Sequence, residues 1–139
     1  AEMPNGVKAL QNSTNGEILI VQAVERATGK KMPLVLQSVP LGPGRANVGI
    51  YFKSLTSAQT YATAKDFATD WSGPFQVSAL LSAYSTMVQQ KDGRIAFFYE
   101  EETYGKGLCY TNMYRPLTLE QITGGKFAPI SNKGTNKRK

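Results

Sequence analysis

A tyrosine and a group of carboxylates stand at related positions in two neighbouring segments of the sequence. Tyr84 lies near the start of "AYSTMVQQ", and the next segment, "RIAFFYEEE", ends in three glutamates at 100–102. The Asp92-Gly93 dipeptide between them favours a tight hairpin turn, which would pair the segments antiparallel and bring Tyr84 beside the glutamates. In that arrangement Tyr84 and a carboxylate would face the same cleft. Alternatively, Tyr84 is a half-buried packing ring, because strands often carry tyrosine for that purpose.

Arg45 is the best local candidate for a cation that could serve the same site. It follows the stiff turn "PLGPG" and precedes "ANVGIYF", so its guanidinium is expected at the start of a strand. Side chains alternate along a strand with period two, which puts Glu100 at the end of a largely apolar face with Ala96 and Phe98. A carboxylate there either reaches water at the rim or pairs with an arginine. Arginines at strand starts also commonly face water, so this alternative stays open.

Composition limits the chemistry that the chain can perform. With 139 residues, of which 41% are hydrophobic and 19% charged, it suits one modest domain. It has no histidine, and its one cysteine is Cys109. These counts exclude Ser-His and Cys-His catalysis, histidine-ligated zinc and a disulfide within the chain. No metal site and no cofactor are therefore expected.

Charge and hydropathy argue against two classes of partner. The formal net charge is +6, but the basic tail "SNKGTNKRK" at 131–139 supplies four of these charges, which leaves about +2 for the rest. A nucleic-acid partner is therefore not expected. No apolar run approaches the roughly 20 residues of a membrane span, and no signal peptide opens the sequence, so no membrane partner is expected either.

Short strands joined by turns are the elements that must position these residues. Period-two alternation and turn dipeptides such as Asn15-Gly16 predict two groups of four strands, at 7–13, 17–24, 33–38 and 47–54, and at 75–80, 84–90, 94–100 and 108–113. The alanine-rich segment between the groups is expected to be a long loop, and Thr118–Ile122 a capped helical turn. The pattern predicts an all-β fold of two four-stranded antiparallel blades, although a sandwich would give the same count.

Four segments of the sequence form a recognisable set: "ALQNST", "GRANVGIYFKSL", "AYSTM" followed by "KDGRIAFFYE", and "YRPLTLEQIT". Together these segments resemble the C-terminal portion of the exo-α-sialidase (neuraminidase) family, in particular its Bacteroides-type bacterial members. They occur in the order that the family shows and extend from Val7 to Thr123. The resemblance implies that residues 1–125 are the C-terminal blades of a six-bladed β-propeller. Residues 126–139 are then expected to be a basic, disordered tail.

The resemblance also assigns roles to individual residues. Tyr84 is similar to the catalytic nucleophile of the family, Arg45 to the third arginine that binds the sugar carboxylate, and Glu100 to the acid that supports the first arginine. Gln11 resembles a substrate-contacting glutamine. The chemistry is consistent, because an arginine binds a carboxylate through paired hydrogen bonds and a neutral phenol avoids repulsion by that carboxylate. Trp71 is expected to be a packing ring rather than a sugar platform.

The family residues that would complete the site cannot be placed in this sequence. The first two arginines, the aspartate acid/base and the glutamate that deprotonates the tyrosine all precede the matched part. The expected function is therefore part of a retaining exo-α-sialidase that is inactive alone, is periplasmic or secreted, and has sialylated glycans and the missing N-terminal portion of the same enzyme as its partners. The alternative is a non-catalytic carbohydrate-binding or adhesion module of propeller or sandwich fold.

Overall fold

The computed structural model describes residues 14–56, 61–103 and 109–131, and this part of the chain is mostly β-structure. Its elements in chain order are β1 Ile18–Glu25, β2 Lys31–Pro40, β3 Val48–Ser54, α1 Ala64–Ala68, β4 Ser72–Gln76, β5 Ser82–Gln89, β6 Ile95–Glu102, β7 Tyr110–Leu117, α2 Leu119–Thr123 and β8 Phe127–Pro129. The predicted all-β fold class is confirmed. The predicted strand at 7–13 lies outside the described residues.

Two antiparallel sheets enclose the main hydrophobic core. The first has the strand order β4-β3-β2-β1-β8 and the second β5-β6-β7. Alternate residues of each strand point inward, and fully buried examples are Leu34 and Leu36 of β2, Ile50 of β3 and Phe97 of β6. Burial of such side chains is the main stabilising term, at roughly 1.5–3 kcal/mol for each large apolar residue.

The strands are grouped differently from the sequence-based expectation. The strand expected at 75–80 in the second group is observed as β4, and it pairs with β3 through Gly49 opposite Gln76 and Ile50 opposite Phe75. Alternation along a strand shows which residues turn inward, but it does not identify the neighbouring strand, because pairing depends on contacts between distant residues. The second sheet therefore has three strands among the described residues.

The first sheet also extends past residue 125. Phe127–Pro129 form β8 and pair with Ala23–Glu25 of β1, although these residues were expected in the disordered tail at 126–139. Phe127 is 5% exposed, and its ring meets that of Phe52 edge to face, with the ring centroids 6.1 Å apart. Burial of this aromatic side chain offsets the entropy lost when the segment becomes ordered. Residues 132–139 lie outside the described part.

The segment that joins the two predicted groups covers part of the outer face of the first sheet, over Val35 of β2 and Tyr51 of β3. Trp71 is 7% exposed, packs edge to face on Phe67 with centroids 5.5 Å apart, and donates from Nε1 to the Phe67 carbonyl, so its expected packing role is confirmed. The buried Lys53 ammonium donates to the carbonyls of Asp66 and Thr69, which ties this segment to β3.

The predicted turns and cap have identifiable local causes. Thr118 caps α2 through a capping box with Gln121, as "TLEQI" predicts. Gly93 follows Asp92 and adopts a φ of 88°, a positive value that the tight turn between β5 and β6 requires. Gly16, of the predicted turn dipeptide Asn15-Gly16, is not among the glycines with a positive φ. A Cβ at this position would lie 1.8 Å from the Ser38 carbonyl oxygen, so glycine is required by the close approach of two backbone segments.

Candidate functional site

Tyr84 is presented by an irregularity at the start of β5. Ser82 pairs with Glu101 and Ser85 with Tyr99, so Ala83 and Tyr84 together face Glu100 alone. This is the arrangement of a β-bulge, which redirects a side chain and leaves backbone groups without ladder partners. The Tyr84 backbone N–H donates to Oε2 of Glu100 at 3.2 Å. The Tyr84 side chain is 48% exposed. Glu100 therefore supports the bulge that exposes the phenol.

Arg45 lies on the loop that connects β2 to β3, and this loop is held against the start of β5. The Arg45 carbonyl accepts from the Ser82 N–H at 2.8 Å, and Ala46 forms a β-bridge with Leu81. These backbone contacts place the guanidinium carbon of Arg45 6.0 Å from the centroid of the Tyr84 ring. That distance is at the outer limit of a cation–π contact. The cation and the phenol are thus neighbours although they lie far apart in sequence.

A pocket of about 360 Å³ opens beside Tyr84. This volume is at the small end of the range for small-molecule sites. Its lining combines aromatic, hydroxyl, amide and carboxylate groups from all three strands of the second sheet: Tyr84, Ser85, Thr86, Phe98, Tyr99, Glu100 and Asn112. Such a mixture suits a ligand with both apolar faces and hydroxyl groups, as a sugar has.

The structure brings three of the four predicted site residues together. Tyr84 contacts both Arg45, through its ring, and Glu100, through its backbone. Gln11 lies outside the described residues, so its predicted position has no structural account. The predicted role of Glu100, support of an arginine, stays a prediction. Its contact with the Tyr84 N–H is one that the sequence did not suggest.

Sequence reasoning missed several residues that line the pocket. Alternation already placed Phe98 on the strand face of Glu100, although no role in the site was predicted for it. Thr86 lies two residues after Tyr84, so the same alternation could have found it. Asn112 pairs directly with Glu100 across β6 and β7. Only the register of that strand pair reveals it, and sequence alone does not supply the register.

Behind the pocket, the phenol of Tyr99 is held in its neutral form. Tyr99 is 5% exposed, and burial is the main reason that its pKa is raised above the usual value near 10. The neighbouring Glu101 carboxylate raises this pKa further, while Arg115 opposes the change. Tyr99 therefore stays protonated throughout the physiological range, and its ring stacks on that of Phe97 in the core, with the centroids 5.3 Å apart.

Searches for a metal site, a membrane-spanning helix and related proteins assign no further function to this chain. Among the described residues, no group of three or more histidine, cysteine or acidic side chains could hold a metal ion. In the same part of the chain, no helix has the length and apolar character needed to cross a bilayer. Neither a scan against protein-family models nor a search of curated proteins finds a match to this chain.

Proposed function

We propose that this chain is the part of an exo-α-sialidase that carries the nucleophile and one carboxylate-binding arginine. The observation that carries the proposal is the proximity of Arg45 to the exposed ring of Tyr84, at 6.0 Å, on the bulge supported by Glu100. Sialic acid has a carboxylate on its anomeric carbon. A guanidinium that binds this carboxylate would hold the anomeric carbon close to the phenol.

The chemistry follows from the charges of these groups. The Tyr84 oxygen attacks the anomeric carbon, the bond to the glycosidic oxygen breaks, and the phenol proton passes to a base. The departing oxygen takes a proton from a general acid, and water later cleaves the tyrosyl–sugar bond with retention of configuration. A neutral phenol approaches next to the substrate carboxylate without the repulsion that an aspartate or glutamate would meet. The base and the acid belong to the portion that the resemblance places upstream.

Exposed apolar side chains on both outer faces favour a piece of a propeller over a self-contained sandwich. On the second sheet, Val88 is 55% exposed and Phe98 and Tyr114 are each 46% exposed. On β1 of the first sheet, Ile18 and Ile20 are 51% and 58% exposed. The outer faces of an independent sandwich are normally polar. Further sheets of the same enzyme, packed on both faces, would cover these residues.

One observation favours the alternative of a carbohydrate-binding module without catalysis. Among the described residues, the contacts found for Tyr84 are those with Glu100, through the backbone, and with Arg45, through the ring. A phenol needs a base at hydrogen-bond distance before it can act as a nucleophile. Without that base, the same residues would bind an acidic sugar and leave it intact.

A ligand titration tests the binding step on the chain itself. NMR spectra of the ¹⁵N-labelled chain are recorded with N-acetylneuraminic acid and, as the matched control, with its methyl ester. The proposal predicts that the acid shifts the Arg45 and Tyr84 signals and that the ester has a much weaker effect, because only the acid carries a negative charge. Equal responses to the two ligands, or shifts that persist in Arg45→Ala, would contradict a carboxylate-binding role.

A further inference from the structure

Asn47 stands at the junction between the loop that carries Arg45 and strand β3, in an unusual backbone conformation. Its φ is 60°, in the left-handed region, where asparagine, aspartate and glycine are tolerated best. Of the described non-glycine residues, Asp70, with a φ of 58°, shares this feature. A left-handed residue costs backbone energy unless surrounding contacts require it. The hydrogen bonds of Asn47 supply such contacts.

Asn47 uses both its backbone and its side chain to close the loop. Its carbonyl accepts from the Leu41 N–H at 2.8 Å, and its N–H donates to the Leu80 carbonyl at 3.0 Å. Its side-chain Nδ2 donates to the Gly42 carbonyl at 2.5 Å, and Oδ1 accepts from Nε2 of Gln76 at 3.1 Å. One residue thus joins the two ends of the loop, β4 and the segment that leads into β5.

We propose that Asn47 is the positioning residue that fixes Arg45 beside Tyr84. The inference rests on the proposed function only for the ligand that Arg45 binds, since the positioning itself is a property of the free chain. Arg45 is exposed and lies two residues before Asn47 in the loop from Leu41 to Asn47. Its carbonyl bonds to Ser82, two residues beyond the Leu80 carbonyl that accepts from Asn47. The Asn47 contacts therefore determine where the backbone of Arg45 lies relative to β5.

The identity of the side chain follows from this role. Gly42 offers a carbonyl that needs a donor, and Gln76 offers an amide N–H that needs an acceptor. A carboxamide provides both groups on the shortest side chain, whereas aspartate provides only the acceptor. Glycine keeps the left-handed backbone but makes neither side-chain bond. Asn47→Gly therefore removes the bridge without adding backbone strain.

The test compares Asn47→Gly with Asp70→Gly. Both variants remove a side chain from a left-handed residue, but Asp70 lies in the turn before Trp71, far along the chain from Arg45. Two quantities are measured on the free chain. The first is the rate of amide hydrogen exchange at Ser82, whose N–H donates to the Arg45 carbonyl. The second is the NMR order parameter of the Arg45 Nε–H group. In Asn47→Gly we expect faster Ser82 exchange and a lower Arg45 order parameter. Asp70→Gly should match the wild type in both.

Ligand affinity separates positioning from general stability. If Arg45 spends only a tenth of its time in the productive orientation, the dissociation constant for N-acetylneuraminic acid rises about tenfold in Asn47→Gly, while that for the methyl ester stays constant. Unchanged Ser82 exchange and Arg45 order in Asn47→Gly would overturn the inference, as would equal losses in Asp70→Gly. If the wild type binds no sialic acid, the proposed function fails, yet the measurements on the free chain still decide the role of Asn47.

Discussion

Replacement of Arg45 by lysine tests whether its planar guanidinium, and not only its charge, serves the site. The substitution keeps one positive charge near the Tyr84 ring, where the guanidinium carbon now lies 6.0 Å from the ring centroid. Lysine cannot make two parallel hydrogen bonds to a carboxylate, so Arg45→Lys should impair binding almost as much as Arg45→Ala. A lysine variant with the affinity of the wild type would remove Arg45 from the proposed site.

The size of the effect depends on how much water reaches Arg45. In this chain Arg45 is exposed, and an exposed ion pair contributes only about 0.2–1 kcal/mol, a factor of up to about five in affinity. In the proposed complete enzyme, where further sheets would exclude water, the loss of a buried charge-assisted pair would cost about 2–5 kcal/mol. We therefore expect a modest loss of sialic acid affinity for the chain and a loss of kcat/KM above about thirtyfold for the complete enzyme.

The salt dependence provides an internal check on this reasoning. Exposed charge pairs are screened within about 8 Å at physiological ionic strength, so binding of sialic acid to the chain should weaken as salt is added. The methyl ester, which carries no charge, should show little salt dependence. An equal salt response of acid and ester would refute the electrostatic account of Arg45, whatever the effect of the substitution.

Three further outcomes test the fold and the completeness of the site. Phe127→Ala should lower the free energy of unfolding by about 3–5 kcal/mol, because the 5% exposed ring anchors β8. A loss below about 1 kcal/mol, measured by urea denaturation, would mean that β8 is not part of the folded core. Because burial raises the pKa of Tyr99, this tyrosine ionises at a lower pH in the unfolded chain than in the folded one. Its contribution to the free energy of unfolding is therefore fully present below about pH 10 and is lost as pH rises through the folded pKa. Denaturation curves recorded from about pH 8 to pH 11 should show a weaker decline of this free energy in Tyr99→Phe, and an unchanged pH dependence would contradict the prediction. If the base for Tyr84 belongs to another part of the enzyme, as proposed, the purified chain should not cleave a fluorogenic sialoside. Turnover above that of a Tyr84→Phe control would show that the chain carries its own base.

Local features of the fold could be predicted from the sequence because their causes are local. The inward positions of β6 follow from alternation, and the start of α2 follows from the Thr118 capping box. The pairing of β4 with β3 and of β8 with β1 could not be predicted, because each depends on residues far apart in the chain. Phe127 illustrates the difficulty, since the partner of its ring, Phe52, is remote in sequence.

The candidate site was predicted only in part, and for a related reason. The types of Tyr84, Arg45 and Glu100 suggested chemistry, but their roles came from the resemblance to sialidases and not from spacing. The bulge that exposes Tyr84 arises from a shift of register between β5 and β6, which no single strand reveals. The contribution of Asn47 was likewise hidden, because all four of its hydrogen-bond partners lie at least five residues away.

Covalent labelling of Tyr84 tests the central claim most directly. The proposed complete enzyme is treated with a fluorinated sialic acid inactivator, which slows cleavage of the sugar–enzyme bond, and the labelled residue is located by mass spectrometry. The account predicts a sialyl adduct on Tyr84 in the wild type and none in Tyr84→Phe, which should fold normally because it loses only the hydroxyl of a ring that is 48% exposed. An adduct on Glu100, Glu101 or Glu102 would contradict the account, since a carboxylate of the hairpin would then be the nucleophile.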